Sequence, residues 1–239
     1  MVNRRDFSSA GISALGLCVL AVYEQAWALS LADLGGISDS DASKGLKTAL
    51  EKGALSAVGI LGKTDGFLGN EKVRIPLPGF LEDAAKILRA TGKRAAVDEL
   101  VTSINRAAET AVPMSKTLLV NAVKNMNVTD AKKILTGGDN SVTNFFADKT
   151  RTPLTGTFLP VVNKATAKVG LAQKYDAVAS KAASLGLVKP QDAKIDSYVT
   201  GKTLDGLYFV IGEEEKKIRQ DPIGTGSDIL KKVFGALKK

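Results

Sequence analysis

The chain has 239 residues, of which 33 are basic and 25 acidic, and its formal net charge at pH 7 is +8. It contains no histidine, a single cysteine and a single tryptophan. Catalytic triads that use an imidazole base are therefore excluded, and so are zinc or haem sites built on histidine.

The amino-terminal residues have the three parts of a cleavable export signal. The pair Arg4-Arg5 precedes an apolar run from Ala10 to Tyr23, and the small-residue triplet Ala26-Trp27-Ala28 follows. Paired arginines resemble a twin-arginine signal, but Ser8 stands where a second apolar residue is usual, so the general export route stays open. We expect residues 1–28 to be a signal peptide and residues 29–239 to be a helical domain in the periplasm.

Two other interpretations of this amino terminus stay open. A permanent membrane anchor would need roughly 20 apolar residues, and the run has only about 14. A lipoprotein would attach its lipid at Cys18, but Leu17 occupies a position that normally holds a small residue. Cleavage after Ala28 would remove both Cys18 and Trp27, and it would leave no membrane anchor.

Beyond the signal, apolar residues recur at steps of three and four, which indicates amphipathic helices. No segment alternates convincingly with period two. We predict a single all-α domain of roughly eight to ten helices with an antiparallel, bundle-like core. The five stripes are Leu46, Leu50, Ala54, Ala57 and Leu61; Val97, Leu100, Ile104, Ala108 and Ala111; Tyr175, Val178, Ala182 and Leu185; Ile195, Val199, Leu207, Ile211 and Ile218; and Ile229, Leu230, Val233, Phe234 and Leu237.

Prolines, glycines and capping residues predict where these helices begin and end. Residues 73–78 should form an extended strap, because residues before proline avoid the helical region. Thr129 is the predicted N-cap of a helix that ends at Gly137-Gly138, and Ser141 the predicted cap of the next. A kink or break is expected at Pro160, a helix start at Pro190, and the end of the penultimate helix at Pro222, Gly224 and Gly226.

Motifs for phosphate or metal binding are incomplete. Gly62-Lys63-Thr64 and Gly201-Lys202-Thr203 resemble the end of a phosphate loop, but Ala57 and Asp196 stand where its first glycine is required. Asp192 and Asp196 would share a helix face and hold a cation, or they are acids that favour the first helical turn. We predict no cofactor and no metal.

Several sequence blocks occur in a characteristic order: residues 73–79, 105–109, 122–126, 130–132, 134–138, 158–160, 198–200, 204–207, 214–215, 218–219 and 230–235. Together they resemble the exported bacterial family called domain of unknown function 4197. The resemblance implies helical proteins of the cell envelope that carry a signal peptide, and it implies no activity. It also marks seven polar residues as candidates for ligand binding: Arg74, Asn105, Arg106, Glu109, Asp205, Glu215 and Arg219.

The sequence favours a non-enzymatic binding or scaffold protein whose partner is an envelope protein or an anionic lipid or polymer. Nucleic acid is not expected, because no basic tract is interleaved with aromatic residues. One alternative is a hydrolase of an envelope glycan that uses Glu109, Asp205 or Glu215, since two carboxylates suffice for that chemistry. Another is a carrier that holds an apolar ligand in a cavity between its helices. An Arg106–Glu109 pair between helices should be structural first.

Overall fold

The structure, a computed structural model, describes residues 39–138, 140–186, 189 and 192–221. Within these ranges the chain forms helices and no β-strand, which confirms the all-α class. It has eight α-helices there, the lower limit of the number predicted. They are α1 (Asp39–Leu61), α2 (Gly79–Ala90), α3 (Arg94–Ala111), α4 (Lys116–Lys124), α5 (Val128–Thr136), α6 (Ser141–Thr166), α7 (Gly170–Ser184) and α8 (Ile195–Gln220), with a 3-10 turn at Val112–Ser115 between α3 and α4.

The predicted stripes of α1, α3 and α8 are confirmed as core. Their side chains are buried, and most of them are fully inaccessible to solvent. The stripes meet because α8 packs along both α6 and α1, while α3 packs against α6. Burial of one apolar face on each of these helices drives the assembly, since each fully buried large aliphatic side chain stabilises by about 1.5–3 kcal/mol.

The predicted stripe of α7 is wrong at its end. Tyr175 is buried, but Leu185 is 74% exposed. The helix stops at Ser184, and Gly186 takes a left-handed φ of 74°, so Leu185 falls in the turn instead of on the helical face. Ala179, one turn after Tyr175, is fully buried in its place.

Helix α6 continues through Pro160, so of the two predicted outcomes, a kink or a break, the break is wrong. A proline inside a helix costs about 3 kcal/mol, because it removes a hydrogen bond and crowds the preceding turn. Here Pro160 faces solvent, while Leu154, Phe158 and Val162 on the other face are fully buried. Packing of this face against α3 and α8 outweighs the cost of the proline.

Two predicted caps are also wrong, whereas the end of α5 is confirmed at Gly137. Asn127, not Thr129, caps α5, because its Oδ1 accepts a hydrogen bond from the backbone N–H of Asp130 at 2.7 Å. Ser141 is the first residue of α6, and its hydroxyl donates to the backbone oxygen of Ile134 instead. The predictions for residues 1–28, Pro190, Pro222 to Gly226 and the last stripe fall outside the described residues.

Candidate functional site

Glu109 of α3 holds the first half of residues 62–78, the long connection between α1 and α2 that we call the connecting segment. The Oε1 atom of Glu109 accepts hydrogen bonds from the backbone N–H groups of Phe67 and Leu68, both at 3.0 Å. Its Oε2 atom accepts from the guanidinium of Arg106 at 2.6 Å. Glu109 is 5% exposed, and its ion pair with Arg106 lies within α3, three residues apart, instead of between two helices.

Arg106 joins this carboxylate to the tip of the connecting segment. Its second guanidinium nitrogen donates to Oδ1 of Asp65 at 2.8 Å. Asp65 has a φ of 64°, a left-handed conformation that residues with a side chain seldom adopt. The hydrogen bonds to Glu109 and then to Asp65 raise the pKa of Arg106 above its ordinary value. Arg106 therefore stabilises the turn in which Asp65 lies.

Asn105 and Tyr198 hold the second half of the connecting segment. The amide of Asn105, fully buried, accepts from the backbone N–H of Ile75 at 2.9 Å and donates to the backbone oxygens of Ile75 at 3.0 Å and Val101 at 2.8 Å. The hydroxyl of Tyr198 donates to the backbone oxygen of Pro76 at 3.1 Å. Burial raises the pKa of Tyr198 to about 12, so it stays a donor at neutral pH. Residues 74–78 are non-helical, as the prolines predicted.

Gly206 allows the connecting segment to lie directly against α8. A Cβ atom at this position would stand 2.9 Å from the Phe67 ring and 3.3 Å from Cβ of Val73. Real Cβ atoms essentially never approach another atom so closely as the first distance. The absence of a side chain at Gly206 therefore sets how near the two walls of the adjoining groove come to each other.

A groove of about 360 Å³ runs between the connecting segment and α8, and we call it the strap groove. It brings together two of the predicted site residues, Arg74 on one wall and Asp205 on the other. The α8 wall consists of positions three and four residues apart, which share one helical face. The full lining is Lys72, Val73, Arg74, Ile75, Pro76, Lys202, Asp205, Gly206 and Phe209.

A second groove of about 430 Å³ lies between α6 and α8, and we call it the α6 groove. It shares Asp205 and Phe209 with the strap groove, so the two meet at these side chains. Phe209 is 43% exposed there. Arg151 of α6 donates to Oδ1 of Asp205 at 2.7 Å and lies 5.3 Å from the centre of the buried Tyr208 ring.

Positive charge around Phe209 is only partly balanced. Lys72 is paired with Glu213 at 3.3 Å, and Arg151 with Asp205 at 2.7 Å. Arg74 and Lys202 have no acidic partner within the part of the chain that the structure describes. The ammonium of Lys202 lies 5.9 Å from the centre of the Tyr198 ring, which is a cation–π distance.

The remaining predicted site residues lie elsewhere. Glu215 is 4% exposed, in the part of α8 that packs against α1. Arg219 is also in α8, but its side chain is outside the described set. Asp205 and Glu215 are separated by about 15 Å along the helix axis, whereas glycosidase carboxylates are at most about 9.5 Å apart. The carboxylate of Glu109 already accepts three hydrogen bonds within the protein, from Phe67, Leu68 and Arg106.

The predicted alignment of Asp192 and Asp196 on one helix face is wrong. Asp196 is in the first turn of α8, whereas Asp192 precedes the helix. The carboxylate of Asp196 accepts from the backbone N–H of Ser197 at 2.6 Å and from the amide of Asn163 at 2.9 Å. Among the described residues, no three side chains of the metal-binding types cluster together.

A third cavity, of about 430 Å³, lies between α5 and α6. Its rim contains Lys133 and Asp148, and Lys149 there pairs with Asp130 at 3.7 Å. Charged side chains thus line all three of these cavities. None of the three is the apolar cavity that a carrier of a hydrophobic ligand would need.

The sequence-based reasoning missed Phe209 and Lys202, both of which line the strap groove. One signal was present. Phe209 is two residues from Leu207 and two from Ile211 in the predicted stripe of α8, and two residues of a helix span about 200°. Phe209 therefore lies on the side of α8 opposite this stripe, and it is 43% exposed.

Residues 36–235 match the sequence pattern of DUF4197, a family described as proteins of unknown function. The chain belongs to this family. No curated protein and no solved structure matches it. Among the helices that the structure describes, none combines the length and the apolar character needed to cross a membrane.

Proposed function

We propose that this DUF4197 protein is a non-enzymatic binding protein of the periplasm and that its partner binds where the strap groove and the α6 groove meet. The observation that carries this proposal is the exposed ring of Phe209, beside which lie the cations Arg74 and Lys202, neither of which has an acidic partner among the described residues. Large aromatic side chains and arginines are the groups that contribute most to binding at protein interfaces.

The groove has walls that are already fixed before a partner arrives. One wall is the connecting segment, which Asn105, Arg106 and Glu109 bind through its backbone and Asp65. The other wall is the long helix α8. Binding to a preorganised surface avoids the entropic cost of ordering that surface, so less of the interaction free energy is lost and the affinity is higher. The three polar residues of α3 therefore act on binding through the position of the connecting segment.

The location in the periplasm is supported by the sequence of residues 1–28, with paired arginines, an apolar run and a small-residue triplet. Under this proposal the working protein is the helical domain of residues 29–239. The mass of the protein recovered from cells tests it. A mass that corresponds to cleavage after Ala28 is expected, and an intact or lipid-modified amino terminus would contradict it.

Photo-crosslinking in cells tests the binding surface. A benzoylphenylalanine at position 209 should give a discrete adduct, and the same probe at position 87 should not. Ile87 is a matched control because it is 67% exposed on α2, away from both grooves. The adduct at position 209 should also weaken when Lys202→Glu is introduced. Identical adducts at both positions, or an adduct indifferent to Lys202→Glu, would refute the proposed surface.

A further inference from the structure

We infer that the strap groove binds an acidic, extended segment of a partner polypeptide, with an apolar side chain of that segment seated against Phe209. This inference rests on the proposed binding function and specifies the chemistry of its ligand.

The charges of the groove call for carboxylates on the ligand. Lys72 and Arg151 already have acidic partners within the protein, whereas Arg74 and Lys202 have none among the described residues. Arg74 belongs to the connecting segment and Lys202 to α8, so a segment lying in the groove has one unpaired cation on each wall. A guanidinium binds a carboxylate with two parallel hydrogen bonds, which makes Arg74 the more selective of the two.

The apolar part of the groove calls for a hydrophobic side chain between these carboxylates. Phe209 presents 43% of its surface, and Val73 and Pro76 form the facing wall. Gly206 has no side chain, which lets Phe67 and Val73 pack directly against α8 at this point of the groove. Stacking of an aromatic or aliphatic group on Phe209 would bury apolar surface of both partners, which is favourable in proportion to the area removed from water.

The shape of the surface favours a polypeptide over a lipid bilayer. The volume of about 360 Å³ lies between two walls, and it leads past Phe209 into the α6 groove of about 430 Å³. A groove that continues into a second one in this way fits an extended chain. A bilayer would instead be bound by basic side chains that project together from one face.

Fluorescence anisotropy with a defined probe tests the inference. The probe is a fluorescein-labelled peptide with one phenylalanine between glutamates, and the protein is used as purified from cells. We expect saturable binding that weakens at high salt, because the screening length falls from about 10 Å at 0.1 M to about 3 Å at 1 M. Replacement of the peptide's glutamates by lysine should abolish binding, and replacement of its phenylalanine by alanine should weaken it.

Variants of the protein locate the binding. Lys202→Glu places a like charge beside the peptide and should weaken binding roughly tenfold or more. Phe209→Ala should weaken it by a similar factor. Ile87→Ala removes an even more exposed apolar side chain elsewhere and should leave binding unchanged. Thermal denaturation of each variant, followed by circular dichroism, verifies that it is folded.

Four results would overturn the inference. They are equal binding of the lysine peptide, equal weakening by Ile87→Ala, binding of phosphatidylglycerol vesicles without the peptide, and self-association that Phe209→Ala abolishes. The first two results exclude an acidic ligand at this groove. The third shows that the groove binds a lipid headgroup, and the last shows that it binds a second copy of the chain. If the peptide does not bind but the crosslink at position 209 persists in cells, only the proposed class of ligand is refuted. If neither peptide binding nor the crosslink is observed, the proposed function is refuted as well.

Discussion

The clearest test of the hydrogen-bonded frame around the connecting segment is Glu109→Ala. The substitution leaves the backbone N–H groups of Phe67 and Leu68 without an acceptor, and a buried unpaired group costs about 1–3 kcal/mol. The hydrogen bond from the Leu68 N–H is only partly buried, so its loss should cost about 1 kcal/mol, the low end of this range. The Arg106 side chain is 37% exposed, so water compensates for most of the loss of its partner. We expect a total loss of about 3 kcal/mol in the free energy of unfolding.

Urea denaturation followed by circular dichroism measures this loss. Thermal denaturation gives a second measurement. In a domain of this size a loss of 1 kcal/mol lowers the melting temperature by about 2–4 °C, so we expect a fall of about 6–12 °C. Glu99→Ala is the matched control, because Glu99 is an exposed acid of the same helix and its loss should change stability by at most about 0.5 kcal/mol. If Glu109→Ala costs no more than Glu99→Ala, the carboxylate does not hold the connecting segment and the reasoning fails.

Other predictions concern Asn105, Gly206 and Glu214. Asn105→Ala leaves the N–H and C=O groups of residue 75 unpaired in the core, and urea denaturation should show a loss of about 2–4 kcal/mol. Gly206→Ala should destabilise by about 1–2 kcal/mol in thermal denaturation, because overpacking against the buried Phe67 ring exceeds a helix-propensity gain of about 1 kcal/mol. Gly201→Ala has open space around it and should instead raise stability by up to about 1 kcal/mol. Burial opposes ionisation of Glu214, but hydrogen bonds from a lysine and a serine outweigh it and lower the pKa below 4.5. That stabilisation is complete above pH 4.5 and is lost as the pH falls through the folded-state pKa, so Glu214→Gln should flatten the acid side of a stability–pH curve.

Much of the fold follows from rules that act over a few residues. The stripes of α1, α3 and α8 were predictable because a period near 3.6 places every third or fourth side chain on one face. The non-helical run before α2 was predictable from Pro76 and Pro78, since each restricts its own backbone and that of its predecessor. Leu185 was misplaced because an apolar residue keeps the period even where the helix has ended.

The candidate site depended on contacts that no local pattern contains. The Glu109 carboxylate meets the N–H of Phe67 across 42 positions of sequence, and Asn105 meets Ile75 across 30. A backbone group has no sequence signature as a partner, so these polar residues of α3 resembled ligand-binding groups. Pro160 is a case in which a local rule was present but did not decide the structure. The packing of Phe158 and its neighbours outweighs the tendency of proline to end a helix.

The position of Arg74 connects this internal frame to the proposed binding surface. Arg74 precedes Ile75, whose backbone N–H and C=O groups are both hydrogen-bonded to the amide of Asn105. The position of Arg74 in the strap groove therefore depends on Asn105, a buried residue that no partner touches. Asn105→Ala should therefore weaken both folding and binding of the acidic peptide, whereas Lys202→Glu should weaken binding alone. A variant of Asn105 that melts early yet binds the peptide with unchanged affinity would separate the two, and it would show that the connecting segment keeps its course along α8 through Gly206 and Tyr198 without the α3 amide.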